Sequence, residues 1–238
     1  MRGAIIIPAY DEALNIARVV ERVNAASPAE DVIVVDDGSR DGTHQVLERL
    51  GVRYLRHPIN LGYVRALQTG IRFADRQGYD YLIFLDGDGQ HDPADIARLR
   101  QVGLAEGGPE IVIGSRFVEQ RGYRAPLART LGMLLFSWLT GAVSGQRIFD
   151  TTSGFKLMRA PAFRLVADQI HGDFHAEMII FAMRAGLRVT EVPITVSPRV
   201  HGTSMYGWLS ALAYPFKTLL AISVLWLVAR RLTPTEDS

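Results

Sequence analysis

The sequence contains no cysteine, which excludes disulfide bonds and thiolate chemistry and is compatible with a reducing compartment. It also has almost no excess of charge of either sign. Lysine and arginine total 26 against 25 aspartate and glutamate residues, so the formal net charge of +1 predicts no general attraction to nucleic acid. The first apolar run ends at Pro8 and is too short for a signal peptide. We therefore expect a cytoplasmic domain with no nucleic-acid partner.

Short apolar runs alternate with helical patterns over most of the chain. The runs predicted as strands are residues 4–7, 32–35, 52–55, 81–85, 111–113 and 188–194. The first predicted helix runs from Glu12 to Ala26, with Leu14, Ala17, Val20 and Val23 on its buried face. Strands that alternate with helices predict one α/β domain with a mainly parallel sheet, whose ligand lies at the carboxyl ends of the strands.

The last apolar stretch runs from Gly207 to Ala229 and contains one charge, Lys217, and one helix breaker, Pro215. A membrane span needs about 20 predominantly apolar residues, and Lys217 leaves an uninterrupted part that is too short to cross. We predict a helix that lies on the membrane surface or is partly inserted, with Arg230 and Arg231 at anionic headgroups. The alternative is a helix buried in the core or in an oligomer interface.

Two carboxylates directly follow the predicted strand at residues 81–85. Asp86 and Asp88 flank Gly87, which lets the backbone approach a ligand closely, and Gln90 adds a neutral oxygen at the same spacing. These oxygen donors predict a divalent metal site, which would suit group transfer from a nucleoside diphosphate because the cation neutralises the leaving group. An acidic turn or a calcium loop is the alternative, although the glycines do not fit the EF-hand pattern.

Acidic residues also follow the first two predicted strands, at residues 8–12 and 36–43. Asp37 could accept a hydrogen bond from a ring N–H of uracil or guanine, while Ser39 or Asp41 could cap the next helix. Turn chemistry alone could explain either cluster. Three acidic clusters after three strands of one sheet favour a shared site.

A series of motifs in a fixed order strengthens this interpretation. The motifs are Pro8-Ala9-Tyr10-Asp11-Glu12 with Asn15, Val35-Asp36-Asp37-Gly38-Ser39 with Asp41 and Thr43, Asn60-Leu61-Gly62, Asp86-Gly87-Asp88-Gly89-Gln90-His91, Gly114-Ser115-Arg116, Ser153-Gly154-Phe155-Lys156 and Glu191-Val192-Pro193-Ile194. From Ala4 to about Ser204 the chain resembles family 2 glycosyltransferases, more narrowly the dolichyl- or polyprenyl-phosphate mannosyl- and glucosyltransferases.

The resemblance implies a GT-A fold, which is a Rossmann-like, mainly parallel sheet with helices on both faces. Residues 1–205 would form this domain, with a nucleotide-sugar half at 1–115 and an acceptor half at 116–205. Residues 206–231 would form the membrane-associated apolar helix, and residues 232–238 a polar tail. The implied reaction is inverting, metal-dependent transfer of a hexose from a GDP-mannose or UDP-glucose type of donor to polyprenyl phosphate. It would take place at the cytoplasmic face of the membrane, to which the C-terminal helix attaches the enzyme.

The same resemblance assigns roles to individual residues. Mg²⁺ or Mn²⁺ would be held by Asp86, Asp88 and Gln90. The nucleotide sugar would contact Pro8, Tyr10, Glu12, Asp37, Asp86, Gly87 and Arg199. The acceptor phosphate would contact Arg116, Arg129 and Ser153. Asp88, Asp150 and Arg116 are the residues expected to carry the catalytic step.

The charge of the acceptor decides whether a general base is needed. A sugar hydroxyl must lose a proton as it attacks, whereas a phosphate monoester, with a second pKa of about 6, is already anionic at neutral pH. Asp150 is the first candidate to orient or deprotonate the acceptor, and Glu177 is the second. His91 and His175 could be ligands, although isolated histidines are more often structural.

Three other functions are compatible with parts of the sequence. A transferase of the same fold could act on a glycan hydroxyl, which would make a base obligatory. A nucleotidyltransferase would normally have a glycine-rich phosphate loop with a basic residue after the first strand, where this chain has the acidic residues 8–12. A non-catalytic membrane scaffold would have no need to retain Asp86, Asp88 and Gln90 together.

Overall fold

The computed structural model describes residues 1–118, 137–138, 140–141, 145–167, 174 and 176–197. Its strands are β1 (Gly3–Ala9), β2 (Asp31–Asp36), β3 (Arg53–Arg56), β4 (Tyr81–Phe84), β5 (Ile111–Ser115), β6 (Lys156–Arg159) and β7 (Val189–Pro193). Its helices are α1 (Ile16–Ala26), α2 (Thr43–Leu50), α3 (Tyr63–Arg76), α4 (Ile96–Gly103), α5 (Ala160–Ala167) and α6 (Ala176–Arg184), with a short 3₁₀ helix at Pro93–Asp95. The predictions for Arg129, His175, Arg199 and residues 206–238 lie outside the described residues.

The described strands form one seven-stranded sheet in the order β3-β2-β1-β4-β6-β5-β7. The pairs β1–β2, β1–β4, β2–β3 and β5–β7 are parallel, while β6 is antiparallel to both of its neighbours, β4 and β5. The predicted α/β fold with a mainly parallel sheet is therefore confirmed. The parallel strands bring the loops that follow β1, β2, β4 and β5 to one edge of the sheet.

Helices cover both faces of the sheet, so the central strands are buried on both sides. Ile6 of β1 packs into a cluster with α3, α5 and α6, whereas Ile5 and Ile7 pack into a second cluster with α1, α2 and α4. Successive side chains of a strand point to opposite faces, and a strand buried on both faces reads as a continuous apolar run. This explains why the first two strands were recognisable in the sequence.

The buried face of the first helix differs from the prediction. Val20 and Val23 are buried as expected, but Leu14 is 78% exposed and Ala17 is only half-buried. Helix α1 begins at Ile16, and the main-chain N–H of Asn15 donates to the carbonyl of Glu12 in a turn that precedes it. Leu14 lies in this turn, outside the helical period on which the prediction depended. The observed buried face consists of Ile16, Val19, Val20 and Val23.

Strand β6 was not predicted. It has only four residues, Lys156–Arg159, and a charged residue at each end gives it no recognisable strand pattern. In the sheet, Lys156 pairs with Phe84 of β4 on one side and with Ile113 of β5 on the other. The unpredicted strand is therefore a central one.

Within the part of the chain that the structure describes, no helix combines the length and the apolar character needed to cross a membrane.

The difference between the predicted and the observed face of α1 can be measured. Ile16→Ala should lower the free energy of unfolding by about 2–5 kcal/mol, because it leaves a cavity at a fully buried position. Leu14→Ala, the matched control, should change it by no more than about 0.5 kcal/mol because Leu14 is exposed. Urea denaturation of the two variants tests this, and equal losses would contradict the buried face observed for α1.

Candidate active site

Asp86 lies two residues after the end of β4, and 30% of its side chain is exposed. Its oxygen Oδ1 accepts a hydrogen bond of 3.1 Å from the hydroxyl of Tyr63, and its oxygen Oδ2 lies 3.5 Å from Nε2 of His91. Gly154 packs against the carboxylate so closely that a Cβ atom there would overlap both oxygens. Residues from three segments of the chain therefore fix a carboxylate that is still open to a ligand.

Asp88 is 7% exposed, and its Oδ1 accepts a hydrogen bond of 3.0 Å from the main-chain N–H of Gln90. The side-chain Nε2 of Gln90 donates to the carbonyl of Ser197 at 3.5 Å. This contact uses the nitrogen of the amide, which is the atom that could not bind a cation. The side-chain oxygen of Gln90 is the atom with the chemistry of a metal ligand.

The side-chain oxygen atoms of Asp86, Asp88 and Gln90 fit a hard divalent cation. Among the described residues, no three His, Cys, Asp or Glu side chains are grouped so that they could hold a metal ion. A cation held by Asp86 and Asp88 would therefore need the oxygen of Gln90, water or the phosphates of a nucleotide to complete its ligands. Mg²⁺ is commonly bound in this way, through one or two carboxylates together with substrate phosphates.

Gly87 allows the loops after β1 and β4 to approach each other. A Cβ atom on Gly87 would lie 3.1 Å from the carbonyl oxygen of Pro8, which is tighter than ordinary contact. Pro8 is buried and Tyr10 is half-buried, while Glu12 accepts a hydrogen bond of 2.7 Å from the side chain of Asn15. Pro8 and Gly87, which are both predicted to contact the nucleotide sugar, are thus neighbours. The contacts of Tyr10 and Glu12 with a nucleotide remain predictions.

The loops after β1 and β2 are joined by hydrogen bonds. The main-chain N–H of Asp11 donates to the hydroxyl of Ser39 at 3.0 Å, and that of Ala13 donates to the carboxylate of Asp41 at 2.9 Å. Asp41 also accepts from the main-chain N–H of Thr43, the first residue of α2, at 3.0 Å. Burial acts to raise the pKa of Asp41, but the hydrogen bonds from Thr43 and Ala13 outweigh it and hold that pKa below its ordinary value. Of the two predicted caps, Asp41 therefore contacts the helix start.

The carboxylate of Asp37 is directed into the protein, and the residue is 3% exposed. Its Oδ1 accepts a hydrogen bond of 2.9 Å from the N–H of Leu61 and lies 2.6 Å from Nδ1 of His57. Its Oδ2 accepts a hydrogen bond of 2.8 Å from the N–H of Gly62. Asp37 therefore fixes the turn before α3, and its predicted contact with a nucleobase would have to use the lone pairs that these bonds leave.

Arg116, just after β5, forms an ion pair with the fully buried Asp150. Its Nε and Nη2 donate to the two carboxylate oxygens at 2.8 and 2.7 Å, and its main-chain N–H donates to Oδ2 at 2.9 Å. Nη2 also donates to the hydroxyl of Thr152 at 2.7 Å. Burial acts to raise the pKa of Asp150, but the hydrogen bonds and the charge of Arg116 outweigh it and hold the pKa below its ordinary value.

Glu191 of β7 fixes the main chain at Phe149 and Asp150, next to this ion pair. Its carboxylate accepts hydrogen bonds from the main-chain N–H groups of Phe149 at 2.8 Å and Asp150 at 2.7 Å. Burial raises the pKa of Glu191, and the neighbouring charge of Asp150 acts in the same direction. Glu191 belongs to one of the motifs, but nothing in the motif itself predicts this role.

The other predicted site residues that the structure describes are Ser153, Glu177 and His91. Ser153, expected at the acceptor phosphate, is 1% exposed, and its hydroxyl accepts a hydrogen bond of 3.2 Å from the N–H of Phe155. Glu177 is half-buried in the first turn of α6. His91 is 7% exposed with its ring against Phe155, at 5.2 Å between ring centroids. The roles of Ser153 and Glu177 remain predictions.

Sequence reasoning missed three residues that shape the site, namely Tyr63, His57 and Gly154. Tyr63 and His57 flank the Asn60-Leu61-Gly62 motif, and Gly154 lies within Ser153-Gly154-Phe155-Lys156, so the motifs mark the right segments. Nothing in the spacing of these residues predicts which carboxylate each one contacts.

The Arg116–Asp150 pair generates a stability prediction. Asp150→Asn should lower the free energy of unfolding at pH 7 by about 3 kcal/mol, because it leaves the partly buried Arg116 without its counter-charge. The folded pKa of Asp150 lies below the unfolded value of about 3.9, so the carboxylate stabilises the fold above that pH and ceases to do so as the pH falls through the folded pKa. The loss caused by Asp150→Asn should therefore shrink below about pH 4.

Urea denaturation over a pH series measures this effect. Asp75→Asn is the matched control, because Asp75 forms an exposed ion pair with Arg164 and its removal should cost less than about 1 kcal/mol. A cost of Asp150→Asn as small as that of the control at pH 7 would contradict the structural role given to the pair.

Comparison with known proteins identifies the family of the chain. The model of the family described as glycosyl transferase family 2 matches residues 4–166. The undecaprenyl-phosphate mannosyltransferase of Micrococcus luteus is 33% identical over 214 residues, which cover 86% of this chain and 87% of that protein. The UDP-N-acetylglucosamine–dolichyl-phosphate N-acetylglucosaminyltransferase of Methanococcus voltae is 30% identical over 211 residues, which cover 80% of this chain and 83% of that protein.

The fold also matches a solved structure. Glucosyl-3-phosphoglycerate synthase from Mycobacterium tuberculosis, crystallised with Mn²⁺ and UDP-glucose, superposes with a TM-score of 0.68 at 18% identity, over 93% of this chain and 77% of that one. At this identity the likeness shows the fold alone, which is GT-A-like. The family match over residues 4–166 and the relative of 33% identity establish that the chain belongs to glycosyltransferase family 2 and is a glycosyltransferase.

Proposed function

We propose that this enzyme transfers a hexose from a nucleotide sugar to polyprenyl phosphate at the cytoplasmic face of the membrane. Its relatives in Micrococcus luteus and Methanococcus voltae are named for transfer to undecaprenyl phosphate and dolichyl phosphate. The observation that carries the proposal is the burial of Asp150 and its two-point pairing with Arg116.

A buried, paired carboxylate is a poor general base. A base must reach the proton that it removes, and its pKa should lie near the working pH. Asp150 is fully buried, and Arg116 holds its pKa below the ordinary value against the effect of burial. These properties suit a residue that orients Arg116. They favour an acceptor that is already ionised, as a phosphate monoester is at neutral pH.

Arg116 is the residue that would receive the acceptor phosphate. Its side chain is 17% exposed at the carboxyl end of β5, and its guanidinium is fixed by Asp150 and Thr152. A guanidinium group matches phosphate oxygens well, and one that is already oriented loses little entropy when it binds them. Arg129 and Ser153 are the other proposed contacts of this phosphate.

The donor would lie at the carboxyl ends of β1, β2 and β4. Its diphosphate would bind beside Asp86 and Asp88, which together with Gln90 would hold Mg²⁺ or Mn²⁺. Such a cation, when bound, neutralises the charge that develops on the leaving diphosphate. The nucleoside would contact Pro8, Tyr10, Glu12 and Asp37, and Arg199 would contact a donor phosphate. The protein's own task is to hold donor and acceptor in line for attack on the sugar.

Membrane attachment belongs to the same proposal. The acceptor is a lipid, so the acceptor end of the site must meet the membrane surface, and the apolar segment at residues 206–231 is the proposed attachment.

Transfer to a glycan hydroxyl is the second candidate function. It would need a base, and Glu177, half-buried at the start of α6, is the described carboxylate proposed for that role in this case.

A screen of donors and acceptors separates the two functions. UDP-glucose, GDP-mannose and UDP-N-acetylglucosamine are each offered with undecaprenyl phosphate, with undecaprenol or with soluble glycans, and the products are identified by mass. We expect a sugar-phosphate lipid from undecaprenyl phosphate and no product from undecaprenol, which lacks the anionic nucleophile. Asp88→Asn should reduce turnover by about 100-fold or more while retaining the fold. A glycan product with no lipid product from any donor would contradict the proposal.

A further inference from the structure

Lys156 is fully buried at the start of β6, on the sheet face that packs against α3, α5 and α6. It is one of two lysines in the chain, and the other, Lys217, lies outside the described residues. Burying an ammonium group costs several kcal/mol unless hydrogen bonds and charges compensate for it. An apolar side chain would fill the same space more cheaply. The steps proposed above give this cation no role.

The ammonium group holds two main-chain carbonyls in place. It donates one hydrogen bond to the carbonyl of Ser153 and another, of 3.4 Å, to the carbonyl of Phe174. It also lies 5.3 Å from the centroid of the Phe174 ring, within range of a cation–π interaction. Lys156 therefore joins Ser153, which precedes β6, to Phe174.

The carbonyl of Ser153 belongs to the same peptide plane as the nitrogen and Cα of Gly154. The Cα of Gly154 supports the carboxylate of Asp86, since a Cβ at that point would overlap both of its oxygens. Because the peptide is planar, a hydrogen bond that fixes the carbonyl of Ser153 also fixes the Cα of Gly154 that packs against the Asp86 carboxylate. The pairing of Lys156 with Phe84, two residues before Asp86, keeps the strands in this register.

We propose that Lys156 is a positioning residue for the metal-binding end of the donor site, which it controls through the Ser153–Gly154 peptide beneath Asp86. The inference rests on the proposed function, in which Asp86 helps to hold the donor's cation. Lys156 is fully buried, so it would act through this peptide and not by binding the donor or the acceptor directly. The charge of Lys156 also affects Asp150, on the proposed acceptor side of the site. Burial and Arg116 have the larger effects on the pKa of Asp150, and Lys156 acts with Arg116 to lower it.

Binding of Mn²⁺ in the absence of any acceptor tests this role without relying on turnover. The full chain is titrated with Mn²⁺ in the presence of UDP or GDP, and free Mn²⁺ is followed by electron paramagnetic resonance. Lys156→Met keeps the length of the side chain and removes its charge. We expect it to weaken Mn²⁺ binding by about 10-fold or more, as is common when a residue that supports a metal ligand is replaced.

The matched control is Arg159→Met, which removes a cation from the other end of the same strand, where Arg159 donates to the carbonyl of Gly108. It should bind Mn²⁺ as the wild type does. Gly154→Ala changes the same contact between residue 154 and Asp86, since its methyl group would displace the Asp86 carboxylate. It should weaken Mn²⁺ binding at least as much as Lys156→Met.

The outcomes separate this inference from the function on which it rests. A folded Lys156→Met variant with wild-type Mn²⁺ affinity would overturn the positioning role and leave the proposed function intact. An equal loss in Arg159→Met would do the same, because the effect would then be general. If Lys156→Met does not fold, wild-type affinity in folded Gly154→Ala would overturn the role. No Mn²⁺ binding by the wild type with either nucleotide would remove both the inference and the metal site.

Discussion

Strand β6 runs against the direction of both of its neighbours, and the arrangement of the site follows from that reversal. Because β6 is antiparallel to β4 and β5, the residues that precede it lie at the same edge of the sheet as the residues that follow those strands. Gly154 is thereby placed against Asp86, and Asp150 against Arg116. A parallel strand in this position would carry residues 150–155 to the opposite edge.

The reversal gives the site two ends with different electrostatics. At the end of β4, Asp86 and Asp88 present carboxylates that suit a cation, which would in turn attract a diphosphate. At the end of β5, Arg116 presents a guanidinium that suits a phosphate, with its own charge balanced by the buried Asp150. A nucleotide sugar bound at the end of β4 and an ionised acceptor bound at the end of β5 would approach each other from the two sides of β6. Preorganised charge of this kind is commonly the largest contribution to transition-state stabilisation.

The sequence predicted the parts of the structure that depend on local pattern. Strands buried on both faces read as continuous apolar runs, and carboxylates that directly follow such runs indicate the ligand-binding edge. It did not predict β6, whose four residues become a strand only because β4 and β5 pair with them. Leu14 was assigned to a helical face because the periodicity continues through the turn before α1, where no helix forms.

Contacts between distant segments were also beyond prediction. Arg116 and Asp150 are 34 residues apart, and their pairing depends on the register of β5 and β6. The bonds of Asp37 to the turn before α3 follow from the parallel pairing of β2 with β3, which returns the chain to the end of β2. Motif spacing identified these segments, but the partner of each side chain depends on tertiary structure.

Crystals of the wild-type enzyme grown with Mn²⁺ and a nucleoside diphosphate would test most directly whether Asp86 and Asp88 hold the donor. Anomalous scattering locates Mn²⁺ without ambiguity. The expected result is a peak at the carboxyl end of β4, bound by Asp86, Asp88 and Gln90 together with the diphosphate. A diphosphate bound away from β4, or a peak that contacts neither Asp86 nor Asp88, would contradict the account.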